Sequence, residues 1–124
     1  MGVSGLTADV RTLLEAAGRG NGRAQLALEM FADRAAAGIA AVATALPSID
    51  GIVFTGGIGE HAGVVRSTIA ERLSVLGVRQ VEAAETGEDR ILRSRDRGGS
   101  GDISLLRIEA REDVVAARAA LGFL

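Results

Sequence analysis

Apolar residues recur every three or four positions in four stretches of the chain, and this spacing predicts four helices. The predicted helices cover residues 8–17, 23–45, 65–76 and 109–121. Thr7 is the expected N-cap of the first helix, while Pro47 and Gly77 are expected to stop the second and third.

The second predicted helix is long and rich in alanine. Its apolar stripe consists of Leu28, Phe31, Ala35, Ile39, Val42 and Leu46. Small side chains accumulate in residues 35–41, so we expect a sheet or a symmetry mate to approach this helix closely. The apolar run of residues 35–46 is shorter than the roughly twenty residues that a membrane span requires, and it predicts a buried helix instead.

Three further segments predict short strands. Residues 51–55 carry β-branched and aromatic side chains without a charge, which is typical of a buried strand in a parallel or central position. Residues 78–82 are a weaker candidate, and residues 103–108 are the third. Charges and glycines dominate residues 83–102, which indicates a surface loop. These elements predict an α/β protein with about three strands and a closing C-terminal helix.

Composition narrows the class of protein. A chain of 124 residues can form one compact core but not two full domains. Its formal net charge of -2 gives no reason to expect nucleic acid or an anionic membrane as a partner. Cysteine is absent, which removes disulfides and thiolate chemistry. The N-terminus has no signal-peptide pattern, so we expect a cytoplasmic protein.

The candidate chemistry lies where an apolar run meets a glycine cluster, in the stretch IVFTGGIGEHAG (residues 52–63). Taken alone, residues 57–62 fit the G-x-G-x-x-A pattern of Rossmann-type dinucleotide binders, with Glu82 as a candidate ribose ligand. A long preceding helix and a short following chain argue against that fold. A Walker A loop is excluded because no lysine lies near the glycines. The other open reading is a purely structural strand-to-helix turn.

Four separated segments of the chain carry a further signal. They read GVSGLTADVR (residues 2–11), GNGRAQLALEMFADR (20–34), DGIVFTGGIGEHAGVVR (50–66) and LGV (76–78). In this order and spacing they resemble the C-terminal part of acetate kinases, including the related propionate kinases. The resemblance implies that residues 1–124 form an incomplete C-terminal domain of the ribonuclease-H-like superfamily of actin, Hsp70 and sugar kinases. It also implies the reaction of ATP and acetate to ADP and acetyl phosphate with Mg²⁺, and a homodimer at full length.

The resemblance further implies which residues contact the nucleotide. On the adenosine side these are Asp9, Val10 and Arg11, and in the glycine turn that closes over it they are Gly57, Ile58, Gly59, Glu60 and His61. The family more commonly has Asn at the position of His61.

The resemblance puts Glu112 in the position associated with Mg²⁺. The family usually reads Pro-Thr-Asn-Glu-Glu there, whereas this chain reads EARED (residues 109–113). The alternative is that Glu112 and Asp113 only complement the dipole at a helix N-terminus. Both interpretations stay open at the level of sequence.

In the family, the residues that bind the carboxylate and the transferred phosphoryl group lie upstream of the matching segment. The resemblance therefore implies no catalytic residue in this chain and no kinase activity of the chain alone. A second hypothesis is a non-catalytic nucleotide-binding or assembly module that complements a separate N-terminal part. The apolar helix of residues 35–46 motivates it, because an absent partner would leave this surface exposed.

Overall fold

The computed structural model describes residues 2–79, 90–92 and 103–122. The helices are α1 (Val10–Gly18), α2 (Gly22–Ala43), α3 (Gly56–His61), α4 (Gly63–Arg72) and α5 (Glu112–Gly122), with a 3₁₀ turn at Leu73–Leu76. The strands are β1 (Gly51–Phe54), β2 (Arg90–Leu92) and β3 (Ser104–Arg107).

The three described strands form one mixed sheet in the order β1-β3-β2. β1 runs parallel to β3, with Gly51 opposite Ser104, and β2 runs antiparallel to β3. The prediction that residues 51–55 form a parallel strand is confirmed by the pairing of β1 with β3. The strand is not central, since β3 is the middle strand of the described sheet, and the prediction of burial is wrong at Val53, which is half exposed. An apolar run marks a strand without telling which faces are covered.

The segment around β2 differs from its prediction. Residues 83–102 were expected to form a surface loop, yet Arg90–Leu92 pairs with β3. The pairing is supplied by a partner strand that is distant in sequence, so local composition cannot reveal it. In the weaker strand candidate, Val78 and Arg79 are not in a strand, and residues 80–82, including Glu82, lie outside the described residues.

The long helix α2 packs against α1 and α4. Its buried residues are Ala24, Leu28, Ala32 and Ala36, which recur every four positions. The predicted stripe is therefore only partly right, since Leu28 is buried but Phe31, Val42 and Leu46 are exposed. Within the described chain, helices rather than a sheet pack on α2, while the approach of a symmetry mate stays a prediction.

The glycine cluster is helical, which corrects the expected turn. Residues Gly56–His61 form α3, and Ala62 separates this helix from α4. The predicted helix of residues 65–76 therefore starts at Gly63 and ends in a 3₁₀ turn. Gly77 terminates it as predicted, with a φ of 88° that L side chains rarely adopt.

Two helix starts also differ from their predictions. The N-cap of α1 is Asp9 rather than Thr7, and α5 begins at Glu112 rather than at residue 109. α5 buries none of its residues. Within the described residues, no helix combines the length and the apolar character needed to cross a bilayer.

Candidate functional site

The first wall of the candidate site begins at the N-terminus of α1. Asp9 Oδ1 accepts a hydrogen bond from the backbone N–H of Arg11 at 3.1 Å, and its Oδ2 accepts one from Thr12 Oγ1 at 3.1 Å. The backbone N–H of Asp9 in turn donates to Thr7 Oγ1 at 3.0 Å. These short-range bonds fix the start of α1 and satisfy one of its otherwise unpaired N–H groups.

The second wall is α3, and its glycines have different roles. A Cβ atom at Gly59 would lie 3.1 Å from the carbonyl carbon of Phe54, so glycine allows α3 to lie against the end of β1. A Cβ atom at Gly57 would meet nothing within 4 Å. Gly59 is therefore required by packing, whereas Gly57 borders open space.

Two charged side chains stabilise α3 through hydrogen bonds to its backbone. Glu60 Oε1 accepts hydrogen bonds from the backbone N–H groups of Gly56 at 2.9 Å and Ala110 at 2.7 Å. Arg66 is only 4% exposed, and its Nη1 donates to the carbonyl oxygens of Gly59 and Glu60, each at 2.8 Å. The N–H group of Gly56 is thus used by a carboxylate of the protein, and Glu60 is turned toward the backbone.

A pocket of about 470 Å³ separates the two walls. It is lined by Asp9, Val10, Arg11 and Leu14 on one side and by Gly57, Ile58, His61 and Ala62 on the other. Aliphatic side chains with a few polar groups at the edge are the usual composition of a site for an organic ligand.

Every residue that sequence reasoning assigned to nucleotide contact lines this pocket, except Gly59 and Glu60. The two missed lining residues are Leu14 and Ala62. Leu14 could have been found, because it lies four positions after Val10 and so shares its face of α1. Ala62 directly follows His61 and carries no polar group that would have marked it.

His61 is the most accessible polar group of the second wall. Its side chain is 76% exposed, and its Nε2 lies 3.8 Å from Glu60 Oε2. The imidazole can therefore donate a hydrogen bond to a ligand in the pocket, as the amide of Asn could at this position.

Glu112 lies in the exposed first turn of α5 and does not line the pocket. Among the described residues, no three His, Asp or Glu side chains converge in a way that could hold a metal ion. A single carboxylate still fits Mg²⁺ that arrives with a nucleotide, because phosphate oxygens and water then supply most of the ligands. The bond from Ala110 to Glu60 ties the chain two residues before Glu112 to α3.

Comparisons with known proteins agree on one family. A family model described as the acetokinase family matches residues 1–118. The propionate kinase of Klebsiella pneumoniae (strain 342) is 47% identical over 78 residues, which cover 63% of this chain and 20% of that protein. The acetate kinase of Gloeobacter violaceus is 38% identical over 120 residues, which cover 94% of this chain and 28% of that protein.

Solved structures give the same result. The crystal structure of acetate kinase from Porphyromonas gingivalis matches 98% of this chain with a TM-score of 0.81 at 25% identity, over 30% of its own length. The chain thus spans between a fifth and a third of the length of these relatives. The α/β fold predicted from the sequence is that of the matching part of these kinases.

Proposed function

Because this chain belongs to the acetokinase family, we propose that it is the C-terminal nucleotide-binding part of a carboxylate kinase. The proposed reaction of the whole enzyme is ATP plus acetate giving ADP plus acetyl phosphate. Relatives named as acetate kinases and as propionate kinases both match, so the acceptor is a short carboxylate, with acetate the first to test. A cytoplasmic homodimer with a ribonuclease-H-like domain is part of the same proposal.

The pocket between α1 and α3 is the observation that carries this proposal. Val10, Leu14 and Ile58 offer aliphatic surface to the faces of an adenine ring. Asp9 and His61 supply an acceptor and a donor to the lining of the pocket, which suits the ribose hydroxyls and ring nitrogens of a nucleoside. The pocket therefore fits the adenosine part of ATP or ADP.

The transfer step itself is assigned to the rest of the enzyme. Phosphoryl transfer requires cationic groups and Mg²⁺ around the transferred group, where they neutralise the developing charge. The described pocket contributes one cation, Arg11, and Glu112 is the residue of this chain that would help to hold Mg²⁺. We therefore assign binding and orientation of the nucleotide to this chain, and no catalytic residue.

Calorimetry with ADP tests the binding role. Gly57→Val extends a side chain from the pocket wall without meeting other atoms at Cβ, so we expect a loss of affinity of at least about tenfold with the fold retained. Gly38→Val is the matched control, because Gly38 is also helical and open at Cβ but lies in α2. Equal ADP affinity in wild type and Gly57→Val would remove the pocket assignment.

The activity of the chain alone is tested separately. We expect the purified 124-residue chain to form no acetyl phosphate from ATP and acetate above background. Turnover that depends on both substrates would contradict the proposal that this chain binds the nucleotide but contains no catalytic residue.

The second candidate is a non-catalytic nucleotide-binding or assembly module that complements a separate N-terminal part. It is favoured by apolar side chains left exposed on and after α2, among them Val42 at 68% and Leu46 at 53% exposure. An adjacent upstream reading frame that encodes the remainder of the kinase would support this candidate. A Rossmann-type dinucleotide binder has less support, because the described sheet is mixed and the relatives are carboxylate kinases.

A further inference from the structure

The closing helix α5 is attached to the molecule in an unusual way. None of its residues is buried, so side-chain packing contributes little to its position. The segment that leads into it leaves β3 with a backbone bond from Ile108 N–H to the carbonyl oxygen of Phe54 at 3.0 Å. The next anchor is the bond from Ala110 N–H to Glu60.

Glu60 makes this anchor with the same oxygen that accepts a hydrogen bond from the first residue of α3. Its Oε1 accepts from Gly56 and from Ala110, which is 50 positions further along the chain. The side chain is only 11% exposed, so water competes weakly for the carboxylate. Bonds from N–H groups to an ionised carboxylate are shorter and stronger than neutral ones, and a bond of 2.7 Å fits that class.

We propose that Glu60 is a positioning residue that joins the pocket wall α3 to the start of α5. The resemblance implied a nucleotide contact for Glu60, but its carboxylate is engaged by two backbone groups and does not line the pocket. Its role is to hold the start of α5, and with it Glu112 two residues beyond Ala110, at a fixed place relative to α3. The consequence for Mg²⁺ rests on the proposed function, whereas the link between α3 and α5 does not.

Hydrogen exchange tests the link without any ligand. In Glu60→Ala, the amides of Ala110 and of α5, such as Val115, should exchange about tenfold faster, the size expected when one charge-assisted bond is lost. Amides of α1 and α2 should not change. Glu60→Gln keeps an oxygen acceptor and should restore part of the protection. Glu15→Ala, an equal loss of charge on the exposed face of α1, should have no effect on α5.

Two results would overturn the link. One is unchanged exchange at Ala110 in Glu60→Ala. The other is equally faster exchange in α1, α2 and α5, which would indicate a general loss of stability. Protection that Glu60→Gln partly restores would support the link, because Gln keeps the acceptor oxygen that Ala lacks.

ADP titrations with EDTA and with Mg²⁺ test the consequence. In Glu60→Ala, the gain in ADP affinity from Mg²⁺ should be lost, whatever the loss of the Gly56 bond does to metal-free binding. Glu112→Gln should give the same pattern. A large loss of metal-free binding in Glu60→Ala, with normal exchange in α1, α2 and α3, would make Glu60 a nucleotide contact and overturn the proposal. Failure of wild type to bind ADP would instead contradict the proposed function and leave the exchange result valid.

Discussion

The two walls of the pocket are held by different kinds of interaction. The α1 wall is fixed by hydrogen bonds between residues that are close in sequence. The carboxylate of Asp9 accepts bonds from the backbone N–H of Arg11 and the hydroxyl of Thr12, which lie two and three positions later. The α3 wall depends on partners further along the chain, because Arg66 bonds to carbonyl groups six and seven positions before it and Glu60 accepts from Ala110, 50 positions away. One wall can therefore form with its helix, whereas the other requires the assembled domain.

The largest loss of stability should follow the removal of Arg66, the buried cation that supports the α3 wall. Arg66→Met removes the donor to two carbonyl oxygens and should lower the free energy of unfolding by about 3 kcal/mol. Urea denaturation measures this change. Arg34→Met, which removes an exposed cation from α2, is the control and should change little. An Arg66→Met protein as stable as wild type would mean that α3 does not depend on this support.

Alanine substitutions at two glycines of α3, Gly59 and Gly57, should change stability in opposite directions. Gly59→Ala forces Cβ against the backbone of Phe54 and should cost about 1 to 3 kcal/mol of stability. Gly57→Ala, the same change two positions earlier, meets open space and should stabilise the helix by up to about 1 kcal/mol. Thermal unfolding of the two variants checks the difference in sign. Equal stability would show that α3 does not pack as closely on β1 as the structure indicates.

Local periodicity predicted the helices α1, α2 and α4, but it could not pair segments that are distant in the chain. The pairing of TADVR with GGIGEH in one site follows from the family resemblance, and the structure brings Asp9 and His61 to the same pocket. The helical state of Gly56–His61 was missed because glycine clusters favour turns by propensity, while here Glu60 and Arg66 stabilise both ends of the helix. Such long-range bonds leave no periodic signal in the chain.

The buried stripe of α2 was misplaced for a related reason. The prediction from hydropathy placed the large residues Phe31 and Val42 on the buried face. In the structure, α1 and α4 pack against α2, and the buried positions carry small residues such as Ala32 and Ala36. The size of a side chain mattered more than its hydrophobicity at this contact. A search for alanine at four-residue spacing could have found it.

The local character of the α1 wall can be tested at its cap. Asp9→Ala should lower stability by about 1 kcal/mol, the usual cost of a lost N-cap. Asp9→Asn keeps an oxygen acceptor and should retain stability, so a loss of ADP affinity in that variant would report a direct contact with the ligand. Thr7→Ala is the comparison, and its smaller effect in urea denaturation would separate the observed cap from the one expected from sequence. A larger effect at Thr7 would contradict this assignment.

The smallest change in stability is expected at an ion pair between α2, which packs against α1, and α4, which packs against α3. Arg72 Nε of α4 donates to Asp33 Oδ1 of α2 at 2.6 Å, with side chains 43% and 55% exposed. This hydrogen bond, together with the charge of Asp33, raises the pKa of Arg72 above its usual value. A raised pKa means that the contribution is complete below the unfolded value and is lost only as pH rises through the folded one, so stability should not vary through Arg72 near neutral pH.

Exposed pairs contribute little and are screened by salt, so Arg72→Gln should lower the melting temperature slightly, and the difference should vanish in about 1 M salt. Asp33→Asn and the double variant complete a mutant cycle for the pair. ADP affinity should be unchanged in all three, since α1 and α3 each keep their own hydrogen bonds. A fall in affinity without a fall in stability would mean that α2 and α4 transmit the position of one wall to the other, and the two supports would then no longer be independent.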